Sequence, residues 1–209
     1  MTYARAERAA LGDLLARLGP DAPTLCEGWT TFDLAAHLVL RERRVDAAGG
    51  ILLKPLAGYT AKVQESLKAT HGYAGLVDLL RSGPSGLYRL PGLDRAANTV
   101  EFFVHHEDVR RAQRVWEPRE LPADLEETFW KQARGGIRLF LRRSPVRVAL
   151  HRLGGGVAVG GPKDAPQAEV TGTAGELLLF CFGRQSHARV DVTGDDEVVA
   201  RLMDAPLGA

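Results

Sequence analysis

Residues 25–38, LCEGWTTFDLAAHL, hold a turn and the start of a helix. A glycine marks the turn, and either of the two adjacent threonines can cap the helix that follows. Apolar residues then recur at helical spacing, which predicts a helix that runs to about Ala48. Because His37 stands between the apolar residues Leu34 and Leu38, we expect it on the buried edge of this helix.

The same helical periodicity continues through the first two thirds of the chain. It predicts helices over 3–18, over 94–115 and from Pro122 to about Arg143, with shorter helical pieces near 58–69 and 74–81.

The pattern changes at Ser144-Pro145, because a residue that precedes proline avoids the helical region. Beyond it we expect strands at 146–151, 168–171 and 188–192, with helical pieces near 173–182 and 195–203. The sequence therefore predicts an α+β protein, with a bundle of four or more helices over 1–143 and a small α+β domain over 144–209.

Composition excludes several classes of protein. Hydrophobic residues make up 45% and charged residues 25% of the 209 residues, which excludes a disordered chain. A net charge of +1 offers no overall attraction to nucleic acid or to an anionic membrane. Because no apolar run approaches the ~20 residues of a membrane span and the first residues are charged throughout, we expect neither a membrane span nor a signal peptide. Cys26 and Cys181 lie far apart, which suits free thiols in a reducing cytoplasm.

A possible metal site is suggested by the spacing of Glu101 and His105. Side chains four residues apart lie on one face of a helix and can share an ion. The simpler alternative is that Glu101 pairs with an arginine and His105 is a hydrogen-bonded core histidine. His37, on the buried edge of another helix, could supply a third ligand. Two histidines and one glutamate leave an open position on a tetrahedral zinc, as in catalytic zinc sites.

Other chemically active residues near this pair have more ordinary explanations. Asp108 could accept a hydrogen bond from an imidazole N–H behind the metal, and Glu107 and Arg111 have the spacing of an ion pair. His106 points away from His105 and is an alternative ligand. We expect both cysteines to be structural, and the sequence has no GxGxxG, Walker A, HExxH or GxSxG motif.

Two segments together resemble a known family. Residues 25–38 resemble the C-x-G-W-[TS]-x-x-D-L-x-x-H-L signature of the mycothiol-dependent maleylpyruvate isomerase family, and residues 101–112 resemble its E-x-x-x-H-x-x-D-x-R signature. The N-terminal half of that family is a DinB-like four-helix bundle that binds a divalent metal through His, Glu and His. The resemblance implies that His37, Glu101 and His105 are the metal ligands here.

The C-terminal part shows a third similarity. Residues 169–184, EVTGTAGELLLFCFGR, resemble the family's V-x-G-x-x-x-[DE]-L-L-x-x-x-x-G-R stretch, which lies in a small domain similar to the sterol-carrier fold. The last arginine of the stretch corresponds to Arg184. In the isomerases a C-terminal arginine contributes to activity, so the resemblance implies a catalytic role for Arg184.

From this resemblance we expect a cytoplasmic enzyme that needs a divalent metal, zinc or else nickel. It would use mycothiol or another small thiol to isomerise, or transfer sulfur to, a small-molecule substrate. The alternatives are a non-catalytic metal- or ligand-binding module that dimerises through its helices and a metal-dependent hydrolase. We expect a monomer or homodimer that binds neither nucleic acid nor membrane.

Overall fold

Four long helices pack around an apolar core in the N-terminal part of the chain. The computed structural model describes residues 2–51, 54–84 and 91–208. The helices are α1 (Tyr3–Leu18), α2 (Thr31–Arg43), the short α3 (Val45–Ala48), α4 (Ala57–Arg81) and α5 (Pro91–Arg111). The buried core between them includes Leu11, Leu15, Leu34, Leu38, Leu76, Leu80, Phe102 and Val109. The predicted helical bundle is therefore present.

Helix α2 begins where the sequence predicts and ends earlier. The Thr30 hydroxyl accepts a hydrogen bond from the Phe32 amide at 3.2 Å, and the Asp33 carboxylate accepts one from the Thr30 amide at 3.0 Å. This reciprocal cap fixes the start of the helix. The expectation of one helix to Ala48 is wrong, because Arg44 has φ −123° and ψ 66° and separates α2 from α3.

Helices α4 and α5 also differ in detail from the expected spans. The pieces expected near 58–69 and 74–81 are the two halves of α4, which is kinked at Gly72. Helix α5 ends at Arg111, before the expected end at residue 115. Val115, the last residue of the expected helix, lies beyond α5 and is 89% exposed.

The chain divides into two compact units, Met1–Trp116 and Glu117–Ala209. We expected the division at residues 143 and 144, with the last helix in the bundle. That helix, α6 (Ala123–Phe140), lies instead in the second unit. Its apolar side contacts α7 and β2, and a Cβ atom added to Gly160 would lie 2.8 Å from Ile137 Cγ1.

The second unit contains a four-stranded mixed sheet in the order β2-β1-β3-β4. Its elements are β1 (Arg147–Arg152), β2 (Val157–Gly160), β3 (Gln167–Gly172), α7 (Ala174–Cys181), β4 (Asp191–Thr193) and α8 (Asp196–Met203). Strand β1 pairs antiparallel with β2 and parallel with β3, and β4 is antiparallel to β3. Strand β2 was not among the expected strands. The predicted α+β class is confirmed.

Within the described ranges, none of the helices has both the length and the apolar character needed to cross a membrane.

Candidate metal centre

The three side chains expected to bind a metal lie together in the N-terminal unit. Glu101 Oε1 is 3.2 Å from His105 Nε2 and 3.7 Å from His37 Nε2. Each residue offers a donor atom, and these atoms all lie within 4.8 Å of one another. Below, the three residues are called the HEH set. Two imidazole nitrogens and a carboxylate oxygen are ligands that suit a divalent transition metal such as zinc.

Local sequence explains how the two helices deliver these donors. Glu101 and His105 are one turn apart on α5, so their side chains lie on the same face. His37 lies on α2 beside the buried leucines and is itself only 7% exposed. Because both helices belong to the bundle, core packing brings His37 to the pair on α5.

The charges of the HEH set are coupled. Burial would raise the pKa of Glu101, but hydrogen bonds to His105 and His37 outweigh that effect and hold it well below its usual value. Burial lowers the pKa of His37, which favours the neutral imidazole. For Glu101 and His37, though not for the whole HEH set, these directions favour the ionised carboxylate and the neutral imidazole that a metal needs from its ligands.

Arg41 is a functional candidate that the sequence pattern did not indicate. It lies on α2 one turn after His37, and its Nε is 3.2 Å from Glu101 Oε1. Its Nη1 also donates to the Asn98 side chain at 2.5 Å. The i,i+4 spacing from His37 was the available signal, but spacing alone did not show that a guanidinium would contact the carboxylate.

Asp108 lies behind His105, as predicted. Its Oδ2 is 3.0 Å from His105 Nδ1, and the Asp108 side chain has no exposed surface. Burial would lower the pKa of His105, but hydrogen bonds to Asp108, Cys26 and Glu101 raise it well above its ordinary value. The Asp108 contact fixes the orientation of the ring, because Nδ1 is directed to a carboxylate while Nε2 faces Glu101.

Cys26 belongs to this cluster, although we expected it to be structural. The Leu25 amide donates to the Asp108 carbonyl at 3.1 Å, which ties the turn before α2 to α5. Cys26 Sγ is then 3.3 Å from Asp108 Oδ2 and 3.8 Å from His105 Nδ1. Trp29 lies in the same turn, and the centroid of its ring is 5.0 Å from the centroid of the His37 ring.

Three other polar residues of α5, His106, Glu107 and Arg111, form ordinary ion pairs or hydrogen bonds. Glu107 and Arg111 form the predicted ion pair at 2.6 Å, and both are buried. His106 Nδ1 lies 2.8 Å from a carboxylate oxygen of Glu7 on α1. Glu7, rather than the HEH set, is therefore the partner of His106.

Arg184 lies in the second unit, shortly after α7 ends at Cys181. Its guanidinium donates to the Phe182 carbonyl, and its amide donates to the Leu179 carbonyl at 3.1 Å. Both contacts satisfy carbonyls at the C-terminal end of the helix, which is a common arginine role. Its expected catalytic role stays a prediction.

The first unit is thus a four-helix bundle with a nitrogen- and oxygen-donor set between two of its helices. The chain belongs to the mycothiol maleylpyruvate isomerase N-terminal domain family, whose model matches residues 4–153. The family resemblance found in the sequence is confirmed.

A solved structure extends the similarity to nearly the whole chain. The crystal structure of the mycothiol-dependent maleylpyruvate isomerase is similar over 91% of this chain and 90% of that chain, with a TM-score of 0.56. At 14% sequence identity this match shows a shared fold. No curated protein matches the chain.

Proposed function

We propose that the chain is an enzyme that uses a divalent metal and a small thiol, mycothiol, to isomerise or transfer sulfur to a small electrophilic substrate. The observation that carries the proposal is the meeting of His37, Glu101 and His105 donor atoms within 4.8 Å in a member of this family. Neither Cys26 nor Cys181 forms a disulfide in the described part of the chain, which fits a reducing compartment, so we place the enzyme in the cytoplasm.

The donor set fits the proposed ion. His37, Glu101 and His105 would hold it, with zinc as our first choice and nickel as the alternative. A bound divalent ion lowers the pKa of a coordinated thiol, so it supplies a thiolate near neutral pH. Three protein ligands leave a coordination position for an exchangeable ligand, which is typical of catalytic sites.

The surrounding residues would orient the ligands and the substrate. Asp108 holds the His105 ring through Nδ1, so Nε2 keeps its direction towards Glu101. Trp29 covers one side of His37 and reduces access of water to it. The Arg41 guanidinium beside Glu101 has five N–H donors and suits a substrate that carries a carboxylate.

The first test counts metal ions. Native mass spectrometry of the purified protein loaded with zinc should show one ion per chain, and His37→Ala and Glu101→Ala should each lose stoichiometric zinc. His71→Ala, which changes an exposed histidine on α4, is the control and should keep it. Retention of one zinc per chain by His37→Ala would show that the ligand set is wrong.

The second test separates the three candidate activities. The zinc-loaded protein is incubated with unsaturated carboxylic acids and with hydrolysable esters, with and without mycothiol, and products are followed by NMR. Turnover of the unsaturated acids only with the thiol supports the proposal. Thiol-independent ester cleavage would favour a hydrolase, and zinc binding without turnover would favour a binding module. Either result contradicts the proposal.

A further inference from the structure

The two ring nitrogens of His105 face two different groups of donors. Nε2 faces the other two members of the HEH set, with Glu101 Oε1 at 3.2 Å. Nδ1 faces Asp108 Oδ2 at 3.0 Å and Cys26 Sγ at 3.8 Å. Cys26, Asp108 and His105, called the CDH set below, also place their donor atoms within 4.8 Å of one another.

We propose that the CDH set is a second cation site, selective for thiophilic ions, that competes with the HEH set for His105. The occupant is a soft divalent ion such as cadmium. This site lies beyond the proposed function, because it requires neither thiol cosubstrate nor turnover.

The chemistry of the donors distinguishes the two sets. The CDH set offers sulfur, nitrogen and oxygen, whereas the HEH set offers nitrogen and oxygen alone. Thiolate ligands select soft metals, so an ion that prefers sulfur should favour the CDH set. Cys26 is part-exposed, and the fully buried Asp108 carboxylate supplies negative charge beside its sulfur.

A neutral His105 ring cannot bind a metal ion at both nitrogens, so the two sites exclude each other. A neutral imidazole has one nitrogen with a lone pair and one that carries a proton. An ion on Nδ1 leaves the proton on Nε2, which then donates to Glu101 and is lost to the HEH set. Two divalent ions on opposite sides of one ring would also repel each other. A thiophilic ion in the CDH set should therefore inhibit whatever chemistry depends on the HEH set.

The competing explanation is a simple hydrogen bond. Cys26 Sγ lies 3.3 Å from Asp108 Oδ2, so the thiol can donate to the carboxylate and have no further role. The two explanations differ in one observable property. Metal ligation produces a sulfur-to-cadmium charge-transfer absorption in the ultraviolet, whereas a hydrogen-bonded thiol does not.

The experiment titrates the full-length protein with cadmium alone and follows this absorption together with native mass spectrometry. The wild type should bind one cadmium per chain and develop the band. His37→Ala should keep both the ion and the band, since it removes a ligand of the HEH set only. Cys26→Ser should lose the band but still bind one cadmium through the HEH set, and the double variant should bind none.

Two controls keep the result interpretable. Cys181→Ala removes the other, buried cysteine and should leave the band unchanged. Glu101→Gln repeats the test of His37→Ala if that variant does not fold, as judged by circular dichroism.

The CDH site would be contradicted if the band persisted in Cys26→Ser. It would also be contradicted if folded His37→Ala and Glu101→Gln lost both the cadmium and the band. Cadmium binding to the wild type without the band would contradict it as well. The proposed function fails separately, when thiol-dependent turnover is absent, and that failure leaves the cadmium band unaffected.

Discussion

His105 is held from both sides by carboxylates of its own helix. Glu101 lies one turn before it and contacts Nε2, and Asp108 lies nearly one turn after it and contacts Nδ1. A ring held at both nitrogens keeps one orientation, so a ligand at this position is preorganised. The same two contacts make the ring sensitive to any change in either carboxylate.

We expect Asp108→Asn to weaken zinc binding without changing its stoichiometry. The amide has no negative charge to support the Nδ1–H of a zinc ligand, and loss of such a contact costs about 10–100-fold in metal affinity. Competition with a chromophoric chelator measures the affinity, and Asp78→Asn, an exposed change on α4, is the control. Wild-type affinity in Asp108→Asn would show that the contact does not support the ligand.

Arg184→Lys tests the predicted role of the C-terminal arginine. Lysine can still donate to the Phe182 carbonyl, so metal content and melting temperature should stay close to wild type. It cannot form the planar two-point contact that arginine makes with a carboxylate, so binding of substrate or thiol should weaken. Calorimetric titration with mycothiol gives the affinity. Unchanged affinity would contradict the predicted role of Arg184 in ligand binding.

The sequence predicted the HEH set and Asp108 but not the rest of the centre. Glu101, His105 and Asp108 share one helix, so helical spacing alone places them together. Cys26 and Arg41 reach the centre through tertiary contacts, the former because the turn before α2 is tied to the Asp108 carbonyl. Helical periodicity carries no information about such tertiary contacts.

At the scale of elements, α4 is interrupted at one residue. Gly72 has φ 59° and ψ 179°, a conformation that is essentially restricted to glycine. The sequence predicted two helical pieces here, and in the structure they form one helix with a kink at Gly72. The Tyr73 hydroxyl, immediately after the kink, donates to the Leu15 carbonyl of α1 at 2.7 Å. The kink therefore lies beside a contact between α4 and α1.

We expect Gly72→Ala to destabilise the protein by about 1–3 kcal/mol, the cost of forcing a side chain into this backbone conformation. Urea unfolding followed by circular dichroism measures the change. Gly58→Ala is the matched control, because Gly58 lies in the same helix at ordinary φ with open space for a Cβ. That control should leave stability unchanged or raise it by up to about 1 kcal/mol. Equal effects at both positions would contradict the reasoning.

At the scale of the whole molecule, the sequence predicted the order of helical and β-rich parts but not the boundary between the units. The amphipathic pattern of α6 shows that one side is buried, not which element covers it. In the structure α6 contacts α7 and β2. The Glu126 carboxylate on α6 accepts a hydrogen bond from the amide of Ala174, the first residue of α7, at 2.6 Å. Helical periodicity identifies α6 as a helix, but the elements that it packs against depend on contacts between distant parts of the chain. The boundary expected from periodicity was therefore placed after α6, whereas the two compact units divide before it.

Metal removal tests whether the centre is structural or catalytic for the whole molecule. The bundle core consists of apolar side chains from four helices and does not include the HEH set, so the helices should persist without metal. Zinc at 100 times its Kd would stabilise the native state by about 2.7 kcal/mol. Chelation should then lower the melting temperature by roughly 5–10 °C while far-ultraviolet circular dichroism at 25 °C stays the same. His37→Ala, without stoichiometric zinc, should show no shift. Loss of helical signal on chelation would mean that the ion holds the fold together, as in a zinc finger, and would count against an open catalytic site.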